Sequence, residues 1–229
     1  MDSLARAKEL FLAALAHQER GELAAAEQIY REALELAPTR PSIANNLALV
    51  LLRLERFSEA VSLFKELLST SPGDATAVLN LGNCQLGLKA TAEALASFER
   101  ALAIKPGYVE ALVGRGVCLR RLERADEALS SYDQALTHDP RSADALAGRG
   151  NVLLDLERFE EALASCAAAL AIQADHVEAL INRGAALLGL RRFEEALASC
   201  EGVLAIKPDL ADGHYNLGMT LTRLDRQQE

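Results

Sequence analysis

Two Gly-Arg-Gly triplets are the first candidates for chemistry, Gly114-Arg115-Gly116 and Gly148-Arg149-Gly150. Closely spaced glycines let a backbone approach a pyrophosphate. That use needs a preceding strand and a third glycine, and neither accompanies these. Histidine is the usual general base and metal ligand. His17, His138, His176 and His214 contain no His-x-x-x-His pair and fall at four different places in the repeat described below, so they build no metal or acid–base site. Glu160-Glu161 and Glu194-Glu195 open helical patterns, where carboxylates suit the positive end of the helix dipole. They recur with the period instead of converging on one point. No catalytic residue, cofactor or metal is implied, and the chain reads as non-catalytic.

Cysteine offers a different chemistry. Cys84 and Cys118 are 34 residues apart, and so are Cys166 and Cys200. Equivalent atoms of stacked helices lie about 8–10 Å apart, whereas a disulfide needs Cα atoms within roughly 7 Å. The four are expected to be small buried hydrophobes, kept reduced as in a cytoplasmic protein.

The elements that position these residues come from a period. Prolines fall at Pro38, Pro72, Pro106, Pro140 and Pro208, in steps of 34 with one beat missed at Ala174. A fixed period in this range marks a solenoid. With proline at position 32, the repeats are 7–40, 41–74, 75–108, 109–142, 143–176 and 177–210, with a partial repeat or capping helix at 211–229. The whole of 1–229 is read as one array. In the third repeat, Val78, Leu81, Gly82, Gln85 and Leu88 follow i, i+3, i+4, i+7 spacing, which predicts helix A over Thr76–Leu88. Ala94, Leu95, Phe98, Ala101 and Leu102 predict helix B over Thr91–Ile104, stopped by Pro106-Gly107.

Position 8 is Ala14, Ala48, Gly82, Gly116, Gly150, Gly184 and Gly218. Glycine within a helix costs about 1 kcal/mol against alanine, so the column predicts close approach of helix A to helix B. Position 20 is alanine in all six repeats. Position 24 is Tyr30, Phe64, Phe98 and Tyr132, then Cys166 and Cys200, which predicts looser packing, or filling by neighbours, late in the chain. Small at 8, alanine at 20, aromatic at 24, alanine at 27 (Ala33, Ala101, Ala135, Ala169) and proline at 32 resemble the tetratricopeptide repeat (TPR). Departures are the lack of an aromatic at position 4 and of a turn glycine at position 15 beyond Gly21. The resemblance implies an all-α TPR solenoid, a right-handed superhelix whose A helices line a concave groove, and a protein–protein interaction scaffold.

In that family the groove is lined by positions 2, 5, 9, 12 and 13, with position 6 at its border. Carried onto this chain, the expected groove residues of the early repeats are Asn45, Asn46, Leu49, Asn80, Asn83 and Val113. Those of the later repeats are Val117, Arg120, Arg121, Asn151, Leu154, Ile181, Asn182, Tyr215, Asn216 and Met219. A column of asparagines offers donors and acceptors to an extended peptide backbone, as in the TPR arm of O-linked N-acetylglucosamine transferases. Alternatively, it ties neighbouring A helices together. The chaperone-tail clamp of the family is not expected, because position 2 is Ser42, Thr76, Glu110, Asp144 and Glu178. Arg115, Arg149 and Arg183 at position 7 are expected to pair with acids such as Glu110, Asp144 and Glu178, a basic stripe being the alternative. Arg120-Arg121 is a candidate anchor for an acidic ligand group.

Composition fits a protein or peptide partner. The chain has 229 residues, 50% of them hydrophobic, and a formal net charge of −9. With no basic cluster it is a poor match to nucleic acid, and no apolar run approaches the roughly 18 residues of a membrane span. The N-terminus has no signal-peptide pattern, and a cytoplasmic location is expected. Residues 1–6 are expected to extend the first helix. Ala211–Leu224 reads as an A helix whose Leu217, Leu221 and Leu224 lack a helix B. It either caps the array or marks a piece of a longer protein, such as the substrate-recruiting arm of a bacterial glycosyltransferase. A homo-oligomer through this helix is a further expectation.

Overall fold

The computed structural model describes residues 3–228, so Met1, Asp2 and Glu229 lie outside the described residues. Among them are thirteen α-helices and no strand: α1 Ser3–Glu19, α2 Leu23–Leu36, α3 Pro41–Arg53, α4 Phe57–Thr70, α5 Ala75–Gly87, α6 Thr91–Ile104 and α7 Val109–Arg121. Then come α8 Ala125–His138, α9 Ala143–Asp155, α10 Phe159–Ile172, α11 Val177–Gly189, α12 Phe193–Ile206 and α13 Ala211–Gln228. Helix B of the third repeat has the expected bounds, and helix A begins and ends one residue early. None of these helices is long and apolar enough to cross a membrane.

Contacts group the chain into two compact units, Met1–Gly114 and Arg115–Glu229, where the period alone suggests a single array. In stacked repeats each element touches only its neighbours, so such a division leaves the repeat phase intact. The break falls inside α7, and each unit is described by itself.

The turn from A to B is the same in every repeat. Position 15 takes a left-handed backbone, with φ 58° at Glu55, 60° at Lys89, 60° at Glu123, 55° at Glu157 and 61° at Arg191, as at Gly21. The N–H of that residue bonds back three residues and the next N–H bonds back five, as in Lys89 to Leu86 O at 3.0 Å and Ala90 to Gln85 O at 2.9 Å. This pair satisfies the last carbonyls of helix A. A side chain at such a φ costs about 1–2 kcal/mol, and packing of helix B must offset it. No such turn interrupts α13. It runs to Gln228, beyond the expected end at Leu224.

The B-to-A turn does not depend on its proline. Ala174 stands in the proline column, yet α10 ends at Ile172 and His176 N–H bonds Gln173 O at 3.1 Å. Ser142 N–H bonds Asp139 O at 3.2 Å in the proline-bearing turn before it. Three A helices also carry a side-chain cap. Asp74 accepts from Thr76 and Ala77 N–H, Ser142 from Ala145 N–H, and His176 Nδ1 from Ala179 N–H. Asp74 satisfies two of the orphan donors at its helix start, and Ser142 and His176 satisfy one each.

The core sits between A and B. Position 20 and 27 alanines and the position 24 aromatics are buried, Phe98 at 0% and Tyr132 at 1% exposure. Each of these two rings lies in a slot between glycines. A Cβ on Gly82 would come 2.8 Å from the Phe98 ring, and one on Gly114 would come 2.5 Å from it. The corresponding approaches to Tyr132 are 2.6 Å from Gly116 and 2.5 Å from Gly148. Close approach therefore explains Gly82, Gly116 and also Gly150, where a Cβ would come 2.7 Å from Cys166 Sγ. It does not explain the whole column. Gly184 has ordinary room, with Ser199 Cβ at 3.6 Å, and Gly218 meets nothing within 4 Å. Cys84, Cys118, Cys166 and Cys200 are buried free thiols.

Candidate functional site

Positions 5, 9 and 12 of the A helices are only partly buried or exposed, apart from Leu79 and Ala147, which are buried. In the first unit, Asn45, Asn46, Leu49, Asn83 and Val113 are half-buried, and Asn80 is buried. The Asn46 amide donates to Ser42 O of its own helix at 2.8 Å. Asn45 lines a cavity of about 240 Å³ with Ser42, Leu67, Ser71, Asp74 and Ala77. A second cavity, of about 290 Å³, lies between the first turns of α1 and α3, with Leu4, Phe11 and Ile43 as apolar walls and Lys8 and Arg40 at its rim. Sequence reasoning missed this one. Its signal was Lys8, a cation at position 2 of the first repeat, where later repeats have Ser, Thr, Glu or Asp.

In the second unit, Val117, Leu154 and Ile181 are half-buried, while Tyr215 is 68% and Met219 38% exposed. Asn151 lies among them, its amide donating to Glu178 Oε1 at 3.1 Å. The asparagines at position 6 do something else. Asn182 is buried and donates to Ala147 O on the preceding A helix at 3.2 Å, and Asn216 does the same to Ile181 O at 3.5 Å. Of the two uses open to this column, Asn182 and Asn216 adopt the tie between A helices. Asn182, and Asn80 likewise, are too buried to offer an amide to a peptide. Gly114 and Gly148 in this column receive the Phe98 and Tyr132 rings of the preceding helix B. Asparagine follows the small Cys166 and Cys200 but also Tyr30 and Phe64, so the size of the position 24 residue does not by itself decide between Asn and Gly.

Arg149 differs from expectation. It pairs with Asp133 of the preceding helix B, Nε to Oδ1 at 2.8 Å, and donates to Ser165 Oγ at 2.6 Å, so its side chain lies against the helix B layer. Two of the acids expected for the column meet other groups: Asp144 meets His176 Nε2 at 3.1 Å, and Glu178 holds Asn151. Arg120 is engaged by Asp155, Nε to Oδ2 at 2.6 Å, which leaves the exposed Arg121 as the freer cation of that pair.

Electrostatics at the B-helix starts is repetitive. Arg124, Arg158 and Arg192 each pair with the glutamate three residues on, at 2.7 Å. These hydrogen bonds hold Glu127, Glu161 and Glu195 below the usual carboxylate range. They are exposed side-chain ion pairs three residues apart at the helix starts. Among the described residues no cluster of His, Cys, Asp or Glu could hold a metal ion.

Models of the tetratricopeptide repeat match residues 7–40, 45–109, 105–143, 113–176 and 149–211. The chain belongs to the tetratricopeptide repeat family. Solved TPR structures resemble it over nearly its whole length. A tetratricopeptide repeat protein from Parabacteroides merdae superposes with a TM-score of 0.79 at 19% identity, over 97% of this chain and 89% of that one. PilF of Pseudomonas aeruginosa gives 0.74 at 14% identity, over 94% and 98%. YrrB, a TPR protein with an unusual peptide-binding site, gives 0.58 at 23% identity, over 81% and 96%. At these identities the likeness concerns the fold. No curated protein matches the sequence. The fold is an all-α TPR solenoid, and a TPR fold implies an interaction scaffold.

Proposed function

We propose that this TPR protein is a non-catalytic scaffold whose A-helix edge binds an extended or helical segment of a protein partner. The observation that supports it is the row at positions 5, 9 and 12, which mixes aliphatic side chains with amides and is only partly covered. In the second unit the row runs through Val117, Asn151, Leu154, Ile181 and Leu188 to the exposed Tyr215 and Met219. Apolar side chains left open in this way mark interaction surfaces. Amides beside them supply backbone hydrogen bonds, the usual combination in peptide recognition. YrrB adds support at the level of fold. The glycosyltransferase-arm alternative draws less support from the asparagine column, since Asn182 and Asn216 are engaged within the array.

The test begins with a random peptide library selected against the parent chain. Selected peptides are then titrated onto Leu154→Glu and Tyr215→Ala variants, with circular dichroism as the control for folding. Binding roughly tenfold weaker or worse on folded variants is expected. Unchanged affinity on both would refute the assignment to this edge.

A further inference from the structure

Given the peptide-binding edge proposed above, on which this rests, we infer that in the second unit it takes a cationic segment in the polyproline II conformation, with lysine or arginine at every third residue. Position 2 lies one helical turn before position 5, on the same face of helix A. It is Lys8, Ser42 and Thr76 in the first three repeats and acidic from Glu110 onward. In the second unit it is Asp144, Glu178 and Asp212, all exposed, and the Asp144 side chain is 80% exposed. Glu178 accepts from the Asn151 amide at 3.1 Å, which sets a carboxylate beside the partly open row. Among the described residues none of the three meets a lysine or arginine; Asp144 meets His176 instead. Helix starts do not require the column. The helices α9 and α11 already carry side-chain caps from Ser142 and His176, and α3 and α5 begin with Ser42 and Thr76 in the same place.

Spacing selects the conformation. Asn182 donates to Ala147 O and Asn216 to Ile181 O, which holds α9, α11 and α13 side by side. Packed helices lie about 8–10 Å apart, so the three carboxylates form a track with a step of about that length. A β-strand would send residues i and i+3 to opposite faces. A polyproline II helix has three residues per turn and rises ~3.1 Å per residue, so every third side chain returns to one face after ~9.3 Å. Lysine or arginine on that face meets Asp144, Glu178 and Asp212 in turn, and complementary charge fixes the register. Another face is left for apolar side chains, which meet Leu154, Ile181 and Tyr215. The preformed polyproline II backbone loses little entropy on binding.

The probes are fluorescent peptides titrated by anisotropy onto the full chain: (Lys-Pro-Leu)4, the acidic (Glu-Pro-Leu)4, and a permutation of the first with its lysines in one block. We expect saturable binding of the spaced lysine peptide, weakened by added salt, and at least roughly tenfold weaker binding of the other two. A variant carrying Asp144→Asn, Glu178→Gln and Asp212→Asn keeps the acceptors used by His176 and Asn151. It should bind the spaced lysine peptide roughly tenfold less tightly, with circular dichroism as the control for folding. Absence of binding, equal binding to parent and variant, or equal binding of the block permutation would overturn the inference. The two readings fail in different ways. If Tyr215→Ala weakens library-selected peptides while the neutralised variant binds them and the lysine peptide as the parent does, the edge stands and its charge preference falls. If Tyr215→Ala and Leu154→Glu change no affinity, the edge itself falls.

Discussion

Alanine placed at each glycine of position 8 should reverse the sign of its effect along the chain. Every such change gains about 1 kcal/mol of helix propensity, and what differs is the room. At Gly116 the new methyl would sit 2.6 Å from the Tyr132 ring, and at Gly82 it would sit 2.8 Å from the Phe98 ring. Carbon atoms prefer roughly 3.5–4.0 Å, so each ring must yield by about 1 Å. Neither has anywhere to go, since Gly148 and Gly114 close the far side of the slots. Overpacking of this kind costs about 1–3 kcal/mol, which leaves Gly116→Ala and Gly82→Ala neutral to about 2 kcal/mol destabilised. Gly184, with its nearest neighbour at 3.6 Å, and Gly218, with none within 4 Å, should keep the full gain. In a chain of this length about 1 kcal/mol moves the melting temperature by about 2–4 °C. Thermal melts should therefore place Gly184→Ala and Gly218→Ala above the parent, and Gly82→Ala and Gly116→Ala at or below it. Amide hydrogen exchange would locate each change, since stacked repeats open locally. Gly116→Ala melting as high as Gly184→Ala would refute the ring-slot reasoning.

Three other outcomes follow from the same geometry. Lys89→Gly and Glu157→Gly should each raise stability by about 0.5–1 kcal/mol in urea melts, because glycine removes the left-handed penalty and returns part of it as chain entropy; a loss would contradict the turn assignment. His176→Ala should cost about 1 kcal/mol through its lost cap on α11, and His176→Ser, the cap used at Ser142, should recover most of it. Burial pushes the Cys84 and Cys166 thiols up to about 12 and raises that of Cys200 as well. The unfolded thiol titrates near ~8.5, so the stability tied to keeping these groups neutral is complete below that pH and drains as pH climbs toward 12. Urea midpoints measured from neutral to alkaline pH should fall over that window, and a flat profile would contradict the burial.

Much of this architecture is written in single columns of the sequence. The 34-residue step, the alanines at position 20 and the aromatics at position 24 suffice to place helices A and B almost to the residue, because each acts through steric volume at one point. What stayed hidden depends on pairs. Nothing in Asn182 alone says whether its amide faces a peptide or the Ala147 carbonyl, because that acceptor lies 35 residues away on another helix. Arg149 stands five residues from Asp144, yet its partner is Asp133, since its place on the helix turns it toward the preceding helix B. The cavity at Lys8 and Arg40 needs the first turns of two helices to converge, which no window of sequence displays. The uncovered Leu221 is the intermediate case. Its likeness to Leu187 is plain in the sequence, but the contrast between 44% and 0% exposure exists only in three dimensions.

The slots around Tyr132 and Cys166 bear on how such a chain can change over generations. Tyr132 has a glycine sixteen residues to either side, Gly116 and Gly148, whereas Cys166 has Gly150 before it and Asn182 after it. A Cβ at either glycine would strike the Tyr132 ring, at 2.6 and 2.5 Å, so larger residues at 116 and 148 become acceptable only after the side chain at 132 has shrunk. The demand is local, because Tyr30 and Phe64 are followed at the same spacing by Asn46 and Asn80. Substitutions in this one slot are thus contingent on the order in which they arrive.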